Sequence, residues 1–111
     1  TQRLHDKAYL NAYTYYKIGR YKSAIVSLKN ALKQYPESSH REEIMYMIVD
    51  ASYRFANNSI ANKQTDRYLS MLDSYLSFKE EFPESTHIKS LDRMAQQARD
   101  YLDRNNKDNN I

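Results

Sequence analysis

Apolar residues return every three or four positions from Leu4 to Ile18 and again from Tyr21 to Tyr35, where Ala24, Leu28, Ala31 and Leu32 share one face. That period predicts two helices. Gly19 lies between them, the residue type that takes a left-handed C-cap without steric cost. After Pro36 a third helix is expected. Ser39 and Glu42 stand in the S-x-x-E relation of a capping box, and Ile44, Met45, Ile48, Val49, Ser52 and Tyr53 follow at helical spacing until Asn57-Asn58. The polar stretch from Asn57 to Asp66 reads as a loop. Beyond it Tyr68, Leu69, Leu72, Tyr75, Leu76 and Phe78 mark a fourth helix that Pro83 stops. A fifth, from about Thr86 to Arg104, puts Ile88, Leu91, Met94, Ala95, Ala98 and Leu102 on one face, the pattern of a helix that caps an open end. No segment reads convincingly as a strand, so the fold class is all-α.

The corners between helices repeat. Tyr35-Pro36-Glu37-Ser38-Ser39-His40 and Phe82-Pro83-Glu84-Ser85-Thr86-His87 are near copies 47 residues apart. Proline ends one helix, and the hydroxyls that follow can accept hydrogen bonds from the free N–H groups of the next. His40 and His87 hold the same place after each proline, which points to a role at helix starts. A duplicated corner implies stacked helical hairpins, a design that serves binding more often than catalysis.

Composition narrows the chemistry. With 111 residues the chain supports one domain, expected over 1–104, with 105–111 as a disordered polar tail; the start at Thr1 reads as the boundary of a fragment of a longer protein. Absence of cysteine removes disulfides, thiol catalysis and thiolate metal sites. Lys and Arg number 17 against 14 acids, and the two signs read as interspersed along the helices, with no basic block for nucleic acid. No apolar run approaches the roughly 18 residues of a membrane-spanning helix. Phosphate loop, nucleophile elbow and His-Glu zinc motif are all missing from the sequence. Glu42-Glu43 and Glu80-Glu81 are helix neighbours that point about 100° apart. No catalytic residue, metal ligand or cofactor is therefore expected.

From Ala8 to Pro36 the chain resembles a tetratricopeptide repeat, a helix-turn-helix unit. Ala12, Ala24 and Ala31 stand where small residues let two helices close, Leu28 where a large one fills the gap, Tyr15 where an aromatic enters the hairpin, and Gly19 and Tyr21 at the turn. The second unit is looser: Met71 and Phe78 replace small residues, and 13 residues beyond a plain 34-residue period are expected to lengthen the third helix and the 57–66 loop. The resemblance implies two such hairpins plus a C-terminal capping helix in a short right-handed solenoid.

A closer resemblance runs from about residue 5 to 80. Tyr15-Tyr16-Lys17-Ile18-Gly19-Arg20-Tyr21, Ala24-Ile25-Val26, Tyr35-Pro36-Glu37-Ser38 and Ala51-Ser52-Tyr53-Arg54 look like the C-terminal repeats of BamD-family outer-membrane assembly lipoproteins. The resemblance implies a non-catalytic scaffold on the periplasmic face of the bacterial outer membrane. It would bind the periplasmic domains of the barrel-inserting subunit and touch the membrane only through a lipid anchor outside this chain. Other periplasmic scaffolds, such as the Tol-Pal-associated coordinator, share the aromatic-Pro-acid-Ser corner. Where that family places a basic residue before the turn glycine, this chain has Ile18, between Lys17 and Arg20.

The candidate partner-binding residues are Tyr9, Tyr13, Tyr16, Lys17, Arg20, Tyr53 and Arg54. Tyr9, Tyr13 and Tyr16 recur at i, i+4 and i+7 on the first helix, while Tyr15 is expected to point into the hairpin. The stripe is either part of a concave binding groove or the packing face for a preceding helix, since both need apolar area with polar tips.

Overall fold

A computed structural model describes residues 2–109, with side chains as far as Asn106. Five helices follow in order: α1 (Gln2–Lys17), α2 (Tyr21–Gln34), α3 (Arg41–Asn57), α4 (Ala61–Glu81) and α5 (Ile88–Asn109). α1 pairs with α2 and α3 with α4 as hairpins, α2 packs on α3, and α5 lies on α4 with a smaller contact to α3. The result is an elongated stack of 56 × 29 × 19 Å, all helical among the described residues.

Small residues set the first hairpin. Ala12 and Ala24 are fully buried and Ala31 nearly so, and with no side chain beyond Cβ they let the helices approach closely around the fully buried Leu28. Ile44, Met47 and Ile48 of α3 complete this first core. A second core gathers Val49, Met71, Tyr75, Phe78, Leu91 and Ala95 where α3, α4 and α5 meet. Gly19 ends the α1 turn at φ +77°, and the Arg20 N–H closes back on the Tyr15 carbonyl at 3.0 Å.

Several expectations change. The Ser39/Glu42 capping box does not form. α3 starts at Arg41 after an N-cap position held by His40, whose backbone N–H donates to Ser38 Oγ at 3.1 Å. Ser39 Oγ instead accepts from Gln2 of α1, and Glu42 accepts from Ser85 Oγ at 2.9 Å. A tight turn, Arg41 N–H to Ser38 C=O, delays the helix start and turns both side chains toward neighbouring elements. The 57–66 loop shrinks to Asn58–Ile60, because α4 already begins at Ala61. With neither Gly nor Pro to break it, the polar stretch coils, and Gln64 reaches back to the Ala56 carbonyl at 3.1 Å. The added length thus goes into two long helices of 17 and 21 residues.

On α4 the buried face is Tyr68, Met71, Tyr75 and Phe78, which leaves Leu69 and Leu76 about half exposed. Tyr15 and Tyr16 exchange roles: Tyr15 is 40% exposed, and Tyr16 turns inward to α3. The equivalent of Tyr15 on α3 is the buried Ser52, on a helix that α2 covers; no helix of the described chain covers that side of α1. The polar tail expected from residue 105 is helical as far as Asn109, and residues 110–111 lie outside the described residues.

Candidate functional site

α1, α3 and α5 form one wall of the stack, and a set of tyrosine contacts steps along it. Tyr9 of α1 stacks on the His40 ring at 4.2 Å between centroids, 5° from parallel, and His40 Nε2 meets Asp6 Oδ1 at 2.5 Å. One repeat later Tyr46 of α3 stacks on His87 at 3.8 Å and 12°, and His87 Nε2 meets Glu43 Oε1 at 2.6 Å. Acid and tyrosine advance by 37 residues (Asp6 to Glu43, Tyr9 to Tyr46), and histidine by 47 (His40 to His87). Ser38 and Ser85 fix each histidine by accepting its backbone N–H, both at 3.1 Å. The histidines therefore do act at helix starts, and their rings also clamp each corner to the helix of the preceding hairpin. Hydrogen bonding to His40 holds the Asp6 carboxyl below its ordinary range, with Gln2 adding to the effect.

A second pair of contacts follows the same offsets. The Tyr16 hydroxyl donates to Asp50 Oδ2, and the Tyr53 hydroxyl donates to Gln97 Oε1. Asp50 is 1% exposed, and its Oδ2 also accepts from Arg54 Nε at 3.0 Å, while Oδ1 has no partner among the described residues. Burial, and then the bond to a carboxylate, push the Tyr16 hydroxyl well above the usual tyrosine range, so it stays protonated as a donor. Burial likewise raises Tyr9 and Tyr46. The bond to Asp50 raises the Arg54 guanidinium further, and half of that side chain remains exposed.

The sequence-derived binding residues divide accordingly. Tyr9 and Tyr16 are half-buried contacts that join α1 to the α2–α3 corner and to α3, so the stripe faces the following hairpin. Tyr13 continues the row, 6.0 Å from Tyr9 and 6.3 Å from Tyr16 between ring centroids, with Lys17 Nζ 5.9 Å from its ring. Lys17, Arg20 and Arg54 are exposed, and Tyr13 is half-buried. Tyr53 is tied to α5 and tilts against Tyr68. Arg20 stands apart at the α1–α2 turn, in a hollow shared with Phe55 and Asn58.

Sequence reasoning missed Asp50, although an acid between Val49 and Ala51, four residues before an arginine, is a readable sign of a buried ion pair. It also missed the Asp6-x-x-Tyr9 and Glu43-x-x-Tyr46 signature that forecasts the histidine clamps. Glu42, Glu43 and His87 bring potential metal-ligand atoms within 4.8 Å of one another, a proximity that adjacent glutamates alone do not suggest. Those atoms are engaged: Ser85 holds Glu42, and His87 pairs with Glu43.

The architecture just described, helical hairpins joined through duplicated Pro-Glu-Ser corners, is what the tetratricopeptide resemblance implies. A family model described as YfiO, outer membrane lipoprotein, matches residues 1–108, nearly the whole chain. No curated protein gives a significant match. On that match the chain belongs to the YfiO family of outer membrane lipoproteins, which is of BamD type.

Proposed function

We propose that this chain is a non-catalytic protein-interaction module of outer-membrane β-barrel assembly, acting on the periplasmic face of that membrane. The α1–α3–α5 wall takes a segment of the periplasmic domains of the barrel-inserting subunit, with residues 1–104 working as one binding unit. The observation that carries this reading is Arg54. A buried carboxylate fixes its Nε, so the rest of the guanidinium fork is presented to solvent in one orientation rather than many. Tyr13 and Lys17 lie on the same wall, which makes an aromatic and cationic strip suited to an extended segment that carries a carboxylate.

The test is a binding titration of this domain against those periplasmic domains at two salt concentrations, with Tyr13→Ala and Arg54→Gln as variants. Saturable binding that each variant weakens, with helical content unchanged, supports the reading. Failure of the folded parent to bind overturns it. Binding that neither variant changes removes the wall as the interface.

A further inference from the structure

Positive charge is unevenly placed along the chain. Residues 1–34 hold seven Lys and Arg against one acid, Asp6, which is paired with His40; α2 contains no acid at all. Between Asp50 and Asp66 there is likewise no acid. Antiparallel hairpins send alternate corners to opposite edges, so the α1–α2 and α3–α4 tips share one edge, as the hollow formed by Gly19, Arg20, Phe55 and Asn58 shows. That edge carries Lys17, Arg20, Lys22, Lys63 and Arg67, with Asp66 beside the last two, and the returning end of α5 adds Asp100, Asp103 and Arg104 next to Asn57. The opposite edge holds the two Pro-Glu-Ser corners, where Glu37, Glu42, Glu43, Glu80, Glu81 and Glu84 stand among Lys33, Arg41, Lys79 and Lys89, and Arg41 pairs with Glu81. The reading of charges interspersed along the helices fails at α2, where Lys22, Lys29 and Lys33 have no acid on the same helix.

The cationic edge also bears the two most exposed large apolar side chains, one at each tip: Ile18, 61% exposed, and Ile60, 64% exposed. Among the described residues Lys17, Arg20, Lys22 and Lys63 form no ion pair within 4.0 Å. Arg67 lies over the Phe55 ring at 4.1 Å and donates to Ser59 Oγ, which braces the second tip.

We propose that these two tips form a docking edge for an anionic lipid surface. Exposed isoleucines on neighbouring tips, with unpaired cations near them in sequence, match a layer that is apolar beneath and negatively charged on top. A purely acidic protein groove would meet the cations and leave both isoleucines in water. Membership in a lipoprotein family sets a bilayer within reach, and acyl anchors commonly act together with a basic patch as a second signal. The edge would orient the stack on the membrane, a contact beyond any lipid anchor. Lys17 is the one residue it shares with the protein-binding strip of the α1–α3–α5 wall; Lys22, Lys63, Ile18 and Ile60 lie outside that role.

Sedimentation of this chain with vesicles tests the proposal, using phosphatidylcholine alone and phosphatidylcholine with phosphatidylglycerol. Binding is expected only to the anionic vesicles and should weaken as salt rises. Lys22→Gln and Lys63→Gln should each lower the partition coefficient about fivefold. Ile60→Ser should lower it roughly tenfold, with the same thermal melt as the parent. Equal binding to neutral vesicles, no vesicle binding by the folded chain, or variants that bind like the parent would each overturn it. So would saturation of the tips by polyglutamate with vesicles ignored, which would assign the edge to an acidic protein.

Discussion

Tyr16→Phe isolates one hydrogen bond between the first hairpin and the second. The hydroxyl donates to Asp50, a carboxylate only 1% exposed whose other donor is Arg54. A bond to a charged acceptor contributes about 1.5–3 kcal/mol, and here the lost donor cannot be replaced by bulk water. With Oδ1 already unpartnered, a loss of about 2 kcal/mol is expected. Unfolding entropy scales with chain length, so in a domain of this size 1 kcal/mol moves the melting midpoint by roughly 4 °C, and Tyr16→Phe should lower it by about 8 °C. Circular dichroism at the helical band reads the shift. A cycle with Asp50→Asn separates coupling from general damage: the double variant should cost less than the two single losses together. The alkaline limb gives a second readout. Because the folded-state value of Tyr16 is raised, its stabilisation is complete below the ordinary tyrosine range near pH 10 and is lost above it. Stability should therefore fall from about pH 10 upward, less steeply in Tyr16→Phe. A Tyr16→Phe midpoint within about 2 °C of the parent, or strictly additive losses, would refute the buried-bond argument.

Leu28→Ala removes a fully buried side chain from the first core and should cost about 2–5 kcal/mol, whereas Val26→Ala, on the exposed side of the same helix, should stay within about 0.5 kcal/mol; denaturant melts compare them directly. Toward acid, Asp6, Glu81 and Asp92 are held below their ordinary ranges chiefly by hydrogen bonds from His40, Arg41 and Tyr75 respectively. Groups depressed in the fold stabilise it above their unfolded values, near pH 4, and lose that contribution as pH falls through their folded values. The melting midpoint should thus drop between about pH 5 and pH 2, and Arg41→Gln should flatten the part that Glu81 supplies.

The tetratricopeptide hairpin was legible because its determinants are local. Ala12, Ala24, Leu28 and Ala31 announce a close helix pair, Gly19 its turn and Pro36 its end, and each sits as expected. The capping box failed because the Ser38–Arg41 turn moves the N-cap to His40, and Ser39 then accepts from Gln2, far away in sequence. The 57–66 loop is shorter than its polarity suggests because a polar segment without Gly or Pro coils readily when its ends are packed. Tyr15 and Tyr16 could not be assigned from periodicity, since the two differ by one helical step and only the position of α3 selects which turns inward.

By itself, then, the sequence determined the helices, their approximate ends, the duplicated corner and the family, all of which rest on short-range spacing and steric rules. The tertiary structure decided the rest. It placed Asp50 and Arg54 against Tyr16, stacked each histidine on a tyrosine 31 or 41 residues away, and brought the basic tips of two hairpins to one edge. Those features depend on which helix faces lie opposite one another and which corners share an edge. A linear pattern does not encode such relations until packing has fixed the stack.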